Sequence, residues 1–289
     1  MDILTGLNEK ADYSSKQLQA IMAAWVITSP FVGEPKMSLE NGDIDEEDYS
    51  KQSIYSLLYS IYRSMGVVKS DKGISYEQVF NTWGYDWPED WDKGTAEDDD
   101  PQRFGKNAYA GHFQWPLVKD YVSERDGKVH IVEMGCGTGA GAHHICKNVL
   151  PKCTFECVDM QQAAIHTCDR KFVPELGGRL KATRADCTEL PIDDASTDFV
   201  IVTETHVTEI PGQATDEDRR FFGSAFRILK PGGYLLWANA IPDNTWEPCF
   251  EVIKELGFEL TEVRDVTQLA VDARDIDADR VNAYVKQCL

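Results

Sequence analysis

From residue 128 onward, short apolar runs alternate with stretches in which apolar residues recur every three or four positions. The runs 129–134, 154–159, 179–186, 198–203, 234–240 and 258–266 have strand length. Several are apolar almost throughout, as expected of strands buried on both faces. Helices are predicted to begin near Ala140, Gln161, Asp216 and Asn244. This alternation predicts an α/β fold with a doubly wound, mostly parallel sheet. Ligands of such sheets bind at the carboxyl ends of the strands.

Upstream the pattern changes. Leu18, Ile21, Met22, Trp25 and Val26 follow a helical period after Ser14 and Ser15, and Ile54, Leu57, Leu58, Ile61, Tyr62 and Met65 repeat it until Gly66. A connector rich in Pro, Gly and acids (29–48) separates them. These stripes must bury against the domain that follows, or form a lid or a homodimer interface. Residues 81–116 carry Trp83, Tyr85, Trp87, Trp91, Phe104, Tyr109, Phe113 and Trp115 between short polar stretches. They are expected to fold over an apolar pocket. The chain therefore divides into a helical, aromatic-rich N-terminal extension or lid (1–126) and a ligand-binding α/β domain (127–289).

Charge narrows the partners. Asp and Glu number 49 against 29 Lys and Arg, a formal net charge of −20, and no basic patch interrupts the acidity. Such a surface repels phosphate backbones, which argues against nucleic acid and for a small-molecule partner. The run Glu97-Asp98-Asp99-Asp100 reads as a solvated loop. No pair of the eight cysteines is spaced Cys-x-x-Cys, so they read as small buried hydrophobes in a reducing cytoplasm, with no metal site. No signal peptide or membrane-spanning run is evident.

Candidate chemistry gathers at the strand ends. The first strand closes in Glu133-Met134-Gly135-Cys136-Gly137-Thr138-Gly139. Three alternating glycines permit a sharp turn and a close ligand approach. A carboxylate two residues before them would repel a diphosphate but suits an ammonium group, as in S-adenosylmethionine. Asp159 closes the second strand and can accept from ribose hydroxyls; its alternative role is a helix cap. Asp186, followed by Cys187, can take an adenine amine, or again a cap. Thr203-Glu204-Thr205-His206 ends the fourth strand, and Pro231-Gly232-Gly233 turns the chain into the next.

Together these pieces resemble the class I S-adenosylmethionine-dependent methyltransferases, in particular the small-molecule branch similar to the ubiquinone and menaquinone biosynthesis enzymes. The matching segments are Glu133 to Gly139, Asp159, Ala185-Asp186, the strand entry at Asp198 and Leu229-Lys230-Pro231-Gly232-Gly233. The resemblance implies that Glu133 and the glycines hold the methionine portion, Asp159 the ribose, and Asp186 with Cys187 the adenine. The cofactor-binding set is Glu133, Gly135, Cys136, Gly137, Gly139, Asp159, Met160, Asp186, Cys187 and Thr203. His206 is the candidate general base, with capping of the next loop as its alternative. Glu204 would orient it or meet a cationic acceptor, and Tyr109, with His112 and Trp115, would close the lid. The adjacent His143 and His144 face different directions and are no metal pair. The chain departs from the family at its end, where a helix-like tail (271–289) stands in place of a closing hairpin. The exposed sheet edge would then need a cover. Two rival readings stay open, a nicotinamide-dependent oxidoreductase using the same glycines and a non-catalytic protein on the same fold.

Overall fold

The computed structural model describes residues 67–70, 72–77, 79–80, 82–92, 96–206, 213–240 and 246–280. The helices expected around residues 18–26 and 54–65 lie outside these residues. Two compact units are recognised, one formed by Met1–Val79 with Arg274–Leu289, the other by Phe80–Ala273. In the first, Val67–Lys69 (β1) pairs antiparallel with Ser75–Glu77 (β2). Gly73, at φ 81°, closes that hairpin by donating to the Ser70 carbonyl, a pairing that the apolar pattern does not mark.

The second unit opens with two helices, Arg103–Gly111 (α1) and Pro116–Glu124 (α2). Then come His130–Met134 (β3), Ala140–His144 (α3), Thr154–Asp159 (β4), Gln162–Lys171 (α4), Leu180–Arg184 (β5), Thr197–Thr203 (β6), Asp216–Ile228 (α5), Leu229–Ala238 (β7) and Trp246–Glu255 (α6), and the division after Ala273 falls within a last helix, Thr267–Ile276 (α7). The sheet runs β5-β4-β3-β6-β7 with every pair parallel. This is the doubly wound sheet expected from the sequence. Central β6 is buried along its whole length, whereas edge strands β5 and β7 are only partly covered.

Neighbouring residues of β6 serve opposite faces, as strand geometry requires. Val200 and Val202 join Val132, Val158, Phe221, Phe222, Ala225, Ile228, Val252 and Ile253 in one core beneath α5 and α6. On the other face Phe199 meets Phe113 and Tyr121 edge-on, with ring centres 5.7 and 5.1 Å apart. Helix α5 forms because a Thr215–Asp218 capping box starts it and Phe221, Phe222, Ala225 and Ile228 give it one apolar stripe. Burying the Phe222 side chain alone contributes about 1.5–3 kcal/mol.

Two expectations change. Residues 258–266 form no strand, and Leu260 and Val263 are exposed. Their alternation is not used for pairing; Arg264 holds Asp90 at 2.8 Å and lies over the Trp91 ring. The Pro231-Gly232-Gly233 turn is present but inside β7. Thr197 pairs with Leu229 and Phe199 with Tyr234, so the residues between Leu229 and Tyr234 bulge opposite Asp198 alone.

That bulge puts Lys230 Nζ 2.9 Å from Asp198 Oδ2, which also accepts from the His130 N–H at 2.8 Å, while Oδ1 accepts from the Tyr121 hydroxyl at 2.9 Å. Burial works against ionisation of Asp198. The His130 N–H, the Lys230 ammonium and the Tyr121 hydroxyl outweigh it and hold its carboxyl below the usual range. The folded chain therefore keeps this charge to lower pH than the unfolded chain, and the stabilisation fades as pH falls below about 4. Asp198→Asn should cost about 1–3 kcal/mol at neutral pH. Urea denaturation would show this gap closing in acid; a gap independent of pH would refute the charge argument.

Candidate active site at the carboxyl edge of the sheet

Parallel pairing aligns the carboxyl ends of β3, β4 and β6, and with them Glu133, Asp159 and Thr203. Glu133 has no exposed surface, and neither of its oxygens makes a hydrogen bond. Burial pushes its carboxyl well above the usual range. The Tyr109 phenol is near enough to offset part of this, while Cys168 and Asp159 add to it. Burial, followed by Glu133 itself, likewise raises the Tyr109 hydroxyl. A buried acid surrounded by neutral and acidic groups lacks a cation.

The turn after β3 puts Gly135, Gly137 and Gly139 at φ 77°, 54° and 82°, a region that favours glycine. A Cβ at Gly135 would fall 1.8 Å from Thr205 Cγ2, and one at Gly139 2.4 Å from Cys168 Sγ. At these two positions the close approach comes from the protein's own side chains, where the sequence pattern suggested a ligand. The turn's N–H groups are also engaged. Gly135 and Cys136 donate to the Val158 carbonyl, Gly137 to Asp159 Oδ2 and Gly139 to the Cys136 carbonyl. Such a turn offers little to a diphosphate, which counts against a dinucleotide.

Asp159 takes one N–H on each oxygen, from Gln161 at 2.8 Å and Gly137 at 2.9 Å. A carboxylate has about four acceptor positions, so two remain for a pair of hydroxyls. Burial raises Asp159 to about 6, against the pull of those N–H groups. Asp186 is exposed and caps the turn Cys187–Glu189 by accepting from the Thr188 N–H at 2.7 Å. Cys187 and Met160 are half-buried beside these strand ends, and the Met160 carbonyl accepts from Arg184. Cys136 is buried in the turn, its thiol pushed up to about 12 by burial.

The aromatic segment reaches the same edge. Tyr109 on α1 packs where a Cβ on Gly141 would lie 2.0 Å from its ring, so Gly141 admits the phenol toward Glu133. His112 Nε2 is 2.9 Å from Thr203 Oγ1, and burial lowers this imidazole to about 4, keeping it neutral. Glu204 adopts φ 51° and accepts from the Thr82 hydroxyl and the Trp83 N–H at 2.5 and 2.9 Å. The carboxylate that meets His206 belongs instead to Asp218, at 2.6 Å from Nε2. Sequence reasoning missed Asp218, although Thr215-Asp216-Glu217-Asp218 carries the spacing of a capping box. His143 and His144 turn to separate partners, Glu175 and Asn148. Among the described residues no group of three His, Cys, Asp or Glu is placed to hold a metal.

An unpaired buried acid, an acid with two free acceptor positions and a turn whose Gly135, Cys136, Gly137 and Gly139 N–H groups bond within the protein fit S-adenosylmethionine, which brings an ammonium, a ribose diol and no phosphate. A methyltransferase-domain family model matches residues 131–233. A phthiotriol/phenolphthiotriol dimycocerosates methyltransferase of Mycobacterium tuberculosis is 31% identical over 174 residues, covering 59% of this chain and 58% of that protein. The match thus spans less than two thirds of that relative's length. A second such enzyme, from Mycobacterium ulcerans, is 29% identical over 75% of this chain and 72% of its own. A fatty-acid O-methyltransferase of Mycolicibacterium smegmatis is 26% identical over 57% of this chain and 53% of its own. Among solved structures, a geranyl diphosphate methyltransferase superposes with TM-score 0.51 at 13% identity, covering 73% of this chain and 95% of that one.

Asp159 generates a stability prediction. Its folded value of about 6 lies above the 3.8 of an exposed aspartate, so the native chain holds this proton to higher pH than the unfolded one. Stability of the ligand-free chain should fall by up to about 3 kcal/mol as pH rises from about 4 to 6. Asp159→Asn should remove the Asp159 share of that slope in denaturation curves, leaving the part that the raised Glu133 carboxyl contributes. An unchanged slope would mean that Asp159 is solvated.

Proposed function

We propose that this chain, which carries a class I S-adenosylmethionine-dependent methyltransferase domain, moves a methyl group from S-adenosylmethionine to a small apolar molecule in the cytoplasm. One observation carries this reading: the buried Glu133 carboxyl, without a hydrogen bond, beside a turn whose Gly135, Cys136, Gly137 and Gly139 N–H groups bond within the protein. When bound, the cofactor supplies an activated methyl group on a sulfonium sulfur. Glu133 would hold its ammonium, Asp159 its ribose hydroxyls, and Asp186 with Cys187 its adenine. The protein's remaining task is alignment and exclusion of water, which can contribute on the order of 7–11 kcal/mol in well-oriented systems.

The stretch from Thr82 to Trp115 supplies the cover, latched by Glu204 and by His112 on Thr203. Its aromatic side chains suit an apolar acceptor. The names of the relatives, which include a fatty-acid O-methyltransferase, support the same chemistry and an oxygen acceptor. His206 stands past the end of β6 as the group to accept a proton from it. The described cysteines are free thiols, six of the seven buried, as suits a reducing compartment. Among the described residues no helix is long and apolar enough to cross a membrane.

Calorimetry tests the assignment without knowing the acceptor. S-adenosylhomocysteine should bind, and NAD should not. Glu133→Gln should weaken binding about 10–100-fold, the worth of a hydrogen bond to a charged group, while circular dichroism stays unchanged. Equal affinity in the variant, or binding of NAD instead, would overturn the reading.

A further inference from the structure

The His206 ring is held on three sides. Nε2 lies 2.6 Å from Asp218 Oδ1, Phe221 stacks on the ring at 4.2 Å with planes 12° apart, and Phe222 meets it edge-on at 5.8 Å. Asp218 is itself fixed. Its Oδ2 accepts from the N–H and the hydroxyl of Thr215 at 2.6 and 2.7 Å, and its own N–H donates to Thr215 Oγ1. This carboxyl is fully buried in the first turn of α5, where the helix dipole favours negative charge. Burial opposes its ionisation, but Thr215 and His206 outweigh that and hold it below the usual range.

An ionised carboxylate can only accept, so the proton on this imidazole sits at Nε2. Nδ1 keeps its lone pair and has no hydrogen-bond partner among the described residues. Among the described residues the ring also meets Phe221 and Phe222, and the His206 carbonyl accepts from the Asn239 amide. Glu204, the nearest acid in the chain before it, is engaged by Thr82 and Trp83.

The geometry points to Asp218 as a positioning residue that presents His206 Nδ1 as the proton acceptor, and to an alcohol or phenol hydroxyl as the group that is methylated. This rests on the methyl-transfer reading and extends it. As the hydroxyl oxygen bonds to the methyl carbon, the carbon–sulfur bond breaks and its electron pair stays on sulfur. The hydroxyl proton passes to Nδ1, and Asp218 stabilises the imidazolium that forms. A carboxylic acid acceptor is already ionised near neutrality and would leave this pair idle.

The test uses the full chain, radiolabelled S-adenosylmethionine and two probes, nonylphenol and oleic acid. Methyl transfer to nonylphenol is expected. Asp218→Asn preserves an oxygen for the Thr215 cap; it should lower kcat about tenfold or more, leave KM and S-adenosylhomocysteine affinity unchanged, and move the acid limb of the pH profile down by about one unit or more. His206→Gln, which leaves the cap untouched, should abolish that limb and lower kcat about 100-fold. It decides the matter if the Asp218 variant fails to fold. An unmoved limb with unchanged kcat overturns the proposal, as does transfer to oleic acid alone, or to neither probe while the homocysteine product binds. Failure of that product to bind overturns the methyl-transfer reading itself.

Discussion

Glu133 sits where three buried strands lie side by side, with both oxygens shut off from water and from any donor of good geometry. A charge cannot persist there without a counter-ion. Burial therefore pushes this carboxyl well above the usual range, and a ligand that brings a cation relieves a cost already built into the fold. Binding and stability are linked through this one side chain. The small residues around it follow from the same requirement. Gly141 lets Tyr109 close over the carboxyl, and Gly135 and Gly139 let Thr205 and Cys168 seal the turn.

The aromatic segment adds polar contacts and a strained residue to its apolar packing, in which Phe113 meets Phe199 and Tyr109 fills the space at Gly141. Glu204 occupies a left-handed conformation that costs a non-glycine residue about 1–3 kcal/mol. Its carboxylate is kept in place by Thr82 and Trp83. His112, kept neutral by burial, ties the other side to Thr203. The aromatic pairs Trp87–Trp91 and Trp91–Trp115 give the segment shape of its own between those attachments.

Much of this was legible in the sequence where physical rules act locally. Strand β4 matches its predicted bounds, and β3 and β6 lie within one residue of theirs, because strands buried on both faces are written as apolar runs. Segment 258–266 was misread because alternation marks a strand only where one face is buried, and here Leu260 and Val263 stay exposed while Arg264 is held by Asp90. The glycines were legible as a turn, but not as seats for Thr205 and Cys168, which come from distant parts of the chain. The Asp218–His206 pair was hidden for a related reason. The capping spacing marks the start of α5, whereas the approach of β6 to that start depends on the whole sheet.

The Asp198 cluster gives the domain one immovable corner. It cross-links α2, β3, β6 and the β7 bulge through Tyr121, His130 and Lys230 at the edge opposite the strand ends just described. Tyr121 belongs to the helix that directly follows the aromatic cover. The aromatic segment therefore runs directly into a helix whose Tyr121 hydroxyl is fixed to the buried start of β6.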